Sequence, residues 1–462
     1  MNTLVLRQAE VEGEQVDVRI EDDRVVAVGP PGTVHGADVA IDCAGGALLP
    51  GLHDHHLHLL SMAAAADSVD VATDLDQRVR AAHARALPGR AIRAVNYDEV
   101  GEGRLDRWRL DALAPGRAVR VQHRSGALWV LSTAALEEVG ASGAREVDIE
   151  RDEAGQPTGR LFRLDGWLRE HLPHDTPADL RPVGQRLAAF GITGVTDCTP
   201  VMAPGYFETL AHAVRTGALP LAVMTTGAPE LAETSPPPPL RRGPVKIVIP
   251  DHALPAFDDL LASFHSARRA GRPVAVHCVT RTALLLALAV WREVGSVPGD
   301  RVEHASVTPP EVIAALAQLS LTVVTQPAFV AARGDAYRRD VEPADRADLY
   351  RCASLLDGGV AVGGSTDAPF GPDNPWTAIR AAMERRAASG LAVGSDTGLG
   401  PVAALGLFLG PLERPGGPLR RVAVGAPADL CLLDVPLRTA LRQPSSSHVV
   451  TTIAAGERTF AA

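Results

Sequence analysis

Residues 53–58 read HDHHLH, four histidines and an aspartate in six positions. Side chains one residue apart on an extended segment project to the same side, so two such imidazoles can grip one ion. The stretch offers two pairs at that spacing, His53 with His55 and His56 with His58, and spacing alone does not choose between them. Further along, His277 follows the apolar run PVAV, His304 closes RVEH, and Asp367 follows GGST. Taken singly, either histidine would as readily be a satisfied core residue, and Asp367 would as readily cap a turn before Ala368 and Pro369. Their repetition after short apolar runs gives them weight. Histidines with one aspartate fit zinc or a similar divalent ion, the aspartate being left to handle protons. A bound metal lowers the pKa of water from 15.7 to about 7, which amounts to roughly 12 kcal/mol of hydroxide stabilisation.

One more residue stands out by its rarity. Of 45 basic residues, Lys246 is the single lysine and all the others are arginine, and it sits in the apolar run GPVKIVIPDH. Desolvation and nearby metal cations both favour a lysine's uncharged amine. Such an amine can take up carbon dioxide to form a carbamate, an anionic ligand with two oxygens that can bridge two metals. Arginine stays protonated and cannot. Pairing with a carboxylate and a Schiff-base role are the competing explanations.

These residues need a scaffold that brings distant segments together. Eight short apolar runs, at 47–52, 192–197, 220–225, 244–249, 273–278, 301–305, 321–326 and 360–365, recur ahead of amphipathic segments such as TALLLALAVWREV and PPEVIAALAQL. Buried strands alternating with helices predict parallel β/α units, and eight of them predict a closed (β/α)8 TIM barrel. In such barrels the site lies at the C-terminal ends of the strands, where Lys246, His277, His304 and Asp367 would stand with the HDHHLH segment. The barrel is expected over 47–410, with a large insertion at about 60–190. Both ends of the chain alternate short β-rich runs with turns, which predicts a small β-sandwich domain built from 1–46 and 411–462.

The net charge of -10 and pI near 5.8 argue against nucleic acid or an anionic membrane surface as partner. The longest apolar run, TALLLALAVW, is too short to span a bilayer, and the start lacks the pattern of a signal peptide. A cytoplasmic protein acting on a small-molecule substrate is expected, with homo-oligomerisation left open. The five cysteines are scattered and form no CxxC, so neither a disulfide framework nor a thiolate zinc site is suggested.

Read together, the segments resemble the amidohydrolase superfamily of metal-dependent hydrolases. ALLPGLHDHHLHL resembles its Pro-Gly-x-x-Asp-x-His-x-His signature, which aligns Asp54 with the family aspartate and selects His56 and His58 as the ligand pair. VAVHC, RVEHAS and GGSTDAPF resemble the segments that carry the third histidine, the fourth histidine and the catalytic aspartate, here His277, His304 and Asp367. VAVGAPADLCLLD resembles the closing sheet motif. Within the superfamily the chain looks most like the branch containing N-substituted formamide deformylase, through Tyr97-Asp98, LDALAPGRAV, DEAGQPTGRL and FGITGVTD. Lys246 falls where that branch has a Val-Lys stretch, the position of the carboxylated ligand.

The chain departs from the branch around this set. SGALWVLS lacks the usual histidine and has Leu131 for asparagine, Thr280-Arg281 replaces Gly-Asp, and IPDH replaces Asp-Gly after the lysine. The resemblance implies one or two divalent ions, zinc foremost, held by His56, His58, Lys246, His277, His304 and Asp367. It implies attack of a metal-bound hydroxide on the carbonyl of an amide, formamide or cyclic amide, with Asp367 moving the proton. Tyr97, His123 and Arg281 are candidate substrate contacts. A deaminase would use the same site, and a barrel without catalysis would be a binding protein. A Schiff-base lyase built on Lys246 leaves the histidines unexplained.

Overall fold

The computed structural model describes residues 3–87, 89–172, 179–200, 205–250 and 253–462, which places Asp251 and His252 of the IPDH segment outside the described residues. The chain divides into two compact units, one of Met1–Leu59 with Leu180–Ala462 and the other of Leu60–Asp179.

The first unit is a TIM-barrel-type α/β fold. Eight of its parallel strands are β1 (Leu52–Leu57), β2 (Ile192–Asp197), β3 (Ala222–Thr225), β4 (Val245–Val248), β5 (Val274–Cys278), β6 (Arg301–His304), β7 (Thr322–Thr325) and β8 (Ala361–Gly364), and the two-residue strand Arg241–Arg242 pairs in parallel with β3. Every described pairing among them is parallel, in the orders β3-β2-β1 and β4-β5-β6-β7-β8. Runs such as VAVHC and TVVT suit this role because a parallel strand is covered on both faces and tolerates continuous apolar sequence. Helices follow the strands, as in Phe257–Arg269 after β4 and Arg281–Val294 after β5, the latter capped by the Thr280 hydroxyl accepting from Ala283 N. At the ends of the two strand series, Asp367 N donates to His56 O (2.8 Å) and Lys246 N donates to Gly227 O (2.6 Å).

One expected strand is displaced. The run at 47–52 does not form the first parallel strand. Leu48–Pro50 pairs antiparallel with Leu430–Leu433 in a different sheet, and the parallel strand is Leu52–Leu57, which contains most of the histidine segment. Gly51 is the switch. A Cβ there would lie 2.2 Å from the Thr193 methyl, so a side chain could not pass between the sheets. Apolar character marked a buried strand correctly but not which sheet it joins.

The terminal segments form two four-stranded sheets. Thr3–Val11, Glu14–Glu21, Arg24–Gly29 and Val39–Asp42 make one, while Leu48–Pro50, Leu430–Leu433, Val449–Ala454 and Glu457–Ala461 make the other. Leu6, Ile20, Leu48, Leu430 and Ile453 share one apolar cluster. The second unit carries a six-stranded sheet over an apolar cluster that includes Val79, Tyr97, Leu110 and Val121. Among the described residues no helix is long and apolar enough to cross a membrane.

Candidate metal centre

β1 enters the site with its even-numbered side chains. His56 and His58 are buried, and their rings stand edge to face with centroids 5.3 Å apart. His304, at the end of β6, brings its ring to 4.8 Å from His56, and His277, on β5, brings its ring to 4.4 Å from His304. Lys246 is buried on β4 with its Nζ 3.5 Å from His56 Nε2. Asp367, just past β8, places Oδ1 3.0 Å from His58 Nε2 and 3.5 Å from His56 Nε2. Six side chains from five strand ends thus meet. His56, His58 and Asp367 offer ligand atoms that all lie within 4.8 Å of one another.

Backbone conformation marks the same positions. His304 and Asp367 both hold left-handed φ values, 71° and 55°. That region costs a non-glycine residue about 1–3 kcal/mol and persists where the surroundings fix it. Asp54 supplies part of that fixing at Asp367. Its carboxylate accepts from the Thr366 hydroxyl (2.5 Å) and from the backbone N–H of Thr366 and His56 (both 3.1 Å), tying β1 to the turn after β8. Burial pushes the Asp54 carboxyl up to about 7.

The electrostatics suit a cation. Burial first, then the neighbouring Lys246, holds His56 down to about 3. Burial likewise lowers His277 and His304, so these imidazoles are neutral and carry a free lone pair. Burial opposes the charge on Asp367, yet its hydrogen bond with His58 and the rings of His56 and His304 hold its carboxyl below the ordinary range. An ionised carboxylate among neutral imidazoles is the donor set a divalent ion of the zinc type takes. The residues present therefore fit a metal. His56, Cys198 and Glu303 form a second close trio. There a guanidinium already supplies the positive charge, since Arg301 contacts Cys198 Sγ at 3.4 Å and Glu303 Oε1 at 2.6 Å.

Around the donors stands a ring of partners that the sequence did not single out. Glu303 accepts from His56 Nδ1 at 2.6 Å, Gln326 Oε1 lies 2.8 Å from His304 Nδ1, and Thr199 Oγ1 lies 3.3 Å from His58 Nδ1. Glu303 was detectable in principle: a carboxylate inside the buried run RVEH is too costly to keep without partners. Gln326 and Thr199 carried no such signal.

Each candidate substrate contact has hydrogen-bond or ion-pair partners of its own. Tyr97 belongs to the second unit, where its buried hydroxyl donates to Gly103 O (2.7 Å) and accepts from Leu105 N (3.0 Å). His123, in the same unit, is hydrogen-bonded through Nδ1 to the Ser125 hydroxyl at 2.8 Å. Arg281 begins the helix after β5 and is held by Asp345 (2.7 Å) and Asp348 (3.1 Å).

Residues 39–460 match the amidohydrolase family. The chain belongs to that family. It is an amidohydrolase, an enzyme of carbon–nitrogen bonds other than peptide bonds. The amidohydrolase is 26% identical over 434 residues to N-substituted formamide deformylase of Arthrobacter pascens, covering 78% of this chain and 79% of that one. Its fold is similar to that of an uncharacterized metal-dependent hydrolase of Pyrococcus horikoshii OT3, with TM-score 0.74, 21% identity and coverage of 94% and 97% of the two chains. A second uncharacterized metal-dependent hydrolase, from Pyrococcus furiosus, gives TM-score 0.73 at 21% identity, with 94% and 99% covered.

Proposed function

We propose that this amidohydrolase cleaves a carbon–nitrogen bond in an amide, formamide or cyclic amide, with one or two divalent ions, zinc foremost, held by His56, His58, Lys246, His277, His304 and Asp367. The observation that carries the reading is the convergence of His56, His58 and Asp367 ligand atoms within 4.8 Å, with Lys246 Nζ 3.5 Å from the same His56 nitrogen. The formamide chemistry named for the Arthrobacter pascens relative supports the substrate class. A divalent ion in this place supplies Lewis acidity, which polarises a carbonyl oxygen and brings the pKa of water to about 7.

The chain's own groups do the rest. Asp367, kept ionised by His58 and its neighbours, takes the proton from the attacking water and hands it to the leaving nitrogen. The neutral His56, His277 and His304 keep their lone pairs for the ion rather than for protons. The Phe370 ring, 5.4 Å from that of His58, forms an apolar wall beside Asp367. Lys246, with Nζ 3.5 Å from His56 Nε2, is proposed to be N-carboxylated, which would add two anionic oxygen donors to the set.

The scaffold belongs to the same proposal. The eight strands from Leu52 to Gly364 are proposed to close into a barrel, and the two terminal sheets, which include Leu48–Pro50, to face each other as a β-sandwich. The bonds from Asp367 N to His56 O and from Lys246 N to Gly227 O support closure, and the shared apolar cluster supports the sandwich.

Metal content per chain, measured on the natural protein and on Lys246→Arg purified alike, tests the reading. One or two zinc ions in the natural protein and at least one fewer in the variant is the expected result. Equal content in both removes Lys246 as a bridge, and a metal-free natural protein overturns the metal centre.

A further inference from the structure

Glu303 and Gln326 reach the centre from behind the histidines, on the Nδ1 side, and their chemistry differs although their task looks alike. Glu303 is fully buried, as is Gln326. We infer that these two are positioning residues that lock His56 and His304 into one tautomer, Nδ1 protonated and Nε2 bare. This rests on the metal-centre reading above and adds to it which groups keep the ligand atoms free of protons.

For His304 the assignment follows from a chain of bonds that ends on a backbone carbonyl. Thr325 O can only accept, and the Ser365 hydroxyl lies 3.0 Å from it, so the hydroxyl proton is spent there. Ser365 Oγ must then accept from Gln326 Nε2, which lies 2.9 Å away. With its amino group turned to Ser365, Gln326 presents Oε1 to His304 Nδ1 at 2.8 Å. An amide oxygen only accepts, so Nδ1 carries the proton and Nε2 carries the lone pair.

For His56 the anchor is a cation. Arg301 donates its single Nε–H to Glu303 Oε1 at 2.6 Å. The other carboxylate oxygen, Oε2, lies 2.6 Å from His56 Nδ1 and likewise only accepts. Nδ1 is again protonated, and Nε2 faces Lys246 Nζ and Asp367 Oδ1, each 3.5 Å away. Two different devices give the same result.

The difference makes the two residues non-interchangeable in a directional way. At position 326 an amide works because Ser365 offers its NH2 an acceptor, and a carboxylate would work once the Ser365 hydroxyl turns from Thr325 O to donate to it, since Thr325 O still accepts from Ser365 N at 3.0 Å. At position 303 only a carboxylate works. In Glu303→Gln the Arg301 Nε–H claims the amide oxygen, which turns the NH2 onto His56 Nδ1. That nitrogen must then accept, the ring proton moves to Nε2, and the ligand atom is blocked. Volume is unchanged in both substitutions, so a role in packing alone would leave both variants alike.

The test compares natural protein, Glu303→Gln and Gln326→Glu by Zn(II) affinity, measured in competition with a chromophoric chelator. Thermal melting of the chelator-treated forms accompanies it, to separate folding from binding. Loss of an outer partner of a metal-ligating histidine ordinarily costs about 10–100-fold in affinity. The expected result is a loss of that size in Glu303→Gln and a change within about threefold in Gln326→Glu. Equal affinities in the two variants, whether both retained or both lost, would overturn the inference. Nitrogen-15 shifts of labelled histidines in the metal-free natural protein give a readout that needs no variant. Protonated Nδ1 with bare Nε2 at both rings supports the lock, and protonated Nε2 at either ring overturns it even if Glu303→Gln fails to fold. A natural protein that takes up no zinc would sink the metal centre instead, with the tautomers still legible in the same spectra.

Discussion

His53 with His55 and His56 with His58 share one strand region, one spacing and one degree of burial, yet they meet opposite surroundings. His53 hydrogen-bonds through Nδ1 to Gly410 O at 3.0 Å, while its Nε2 and both ring nitrogens of His55 have no hydrogen-bond partner among the described residues. On the other face of the strand, His56 meets Glu303, Lys246 and Asp367, and His58 meets Thr199 and Asp367. Burial therefore does not distinguish a ligand from a core histidine in this protein. What distinguishes them is whether polar groups from other strands arrive on both sides of the ring, one to orient it and one to share its ion.

The largest expected effect breaks the partnered face. His56→Ala combined with His58→Ala should abolish metal content and lower turnover at least about a thousandfold, near 4 kcal/mol in the barrier. Elemental analysis and steady-state rates on a formamide or amide panel would check this. A smaller loss is expected from Asp367→Asn, about 10²–10⁴-fold in kcat, as for removal of a general acid–base group. Single-turnover rates at matched metal occupancy separate that loss from any loss of metal.

The unpartnered face should respond through stability and pH. Burial holds His55 down to about 3, against roughly 6.5 in the unfolded chain. The unfolded state therefore binds the extra proton first, and stability is lost as pH falls below about 6.5, continuing toward 3, at up to about 1.4 kcal/mol per pH unit. His55→Leu removes that dependence and the two unpartnered nitrogens. Chemical denaturation at pH 7 and pH 5 should show a smaller decline for the variant than for the natural protein, with metal content unchanged. An equal decline would show that His55 does not titrate in this way.

Smaller effects should mark the residues that sequence reasoning offered as substrate contacts. Tyr97→Phe should destabilise by about 1–2 kcal/mol, through the lost bonds to Gly103 O and Leu105 N, without changing metal content. Arg281→Ala should cost about 0–1 kcal/mol, because its ion pairs are a third exposed and screened. A change in KM with either variant would mark that residue as a substrate contact.

The contrast between the histidine pairs also explains what could be read in advance. Parallel strands are apolar on both faces and are followed by amphipathic helices, so seven of the eight strand positions stood out from hydrophobic runs alone. The first did not, because its boundary depends on Gly51 changing sheets, a steric fact about Thr193 that no local pattern encodes. The donors were legible for a related reason. Histidine, aspartate and a solitary lysine are unusual at strand ends, and the resemblance chose between pairs of identical spacing. Their partners were not, since Gln326, Ser365 and Thr199 are ordinary residues whose meaning lies in which atom faces which. Glu303 lies between, visible as a buried charge but mute about its partner.

The central claim is that the even-numbered face of the first strand, together with Lys246, His277, His304 and Asp367, holds the ion. Anomalous diffraction at the zinc absorption edge, on crystals of the zinc-loaded protein, tests it most directly. One or two peaks are expected about 2.0–2.1 Å from the Nε2 atoms of the ligating histidines, His56 among them, and near Asp367. A peak bound by His53 and His55, or no ordered peak beside His56 in a zinc-replete crystal, would contradict it.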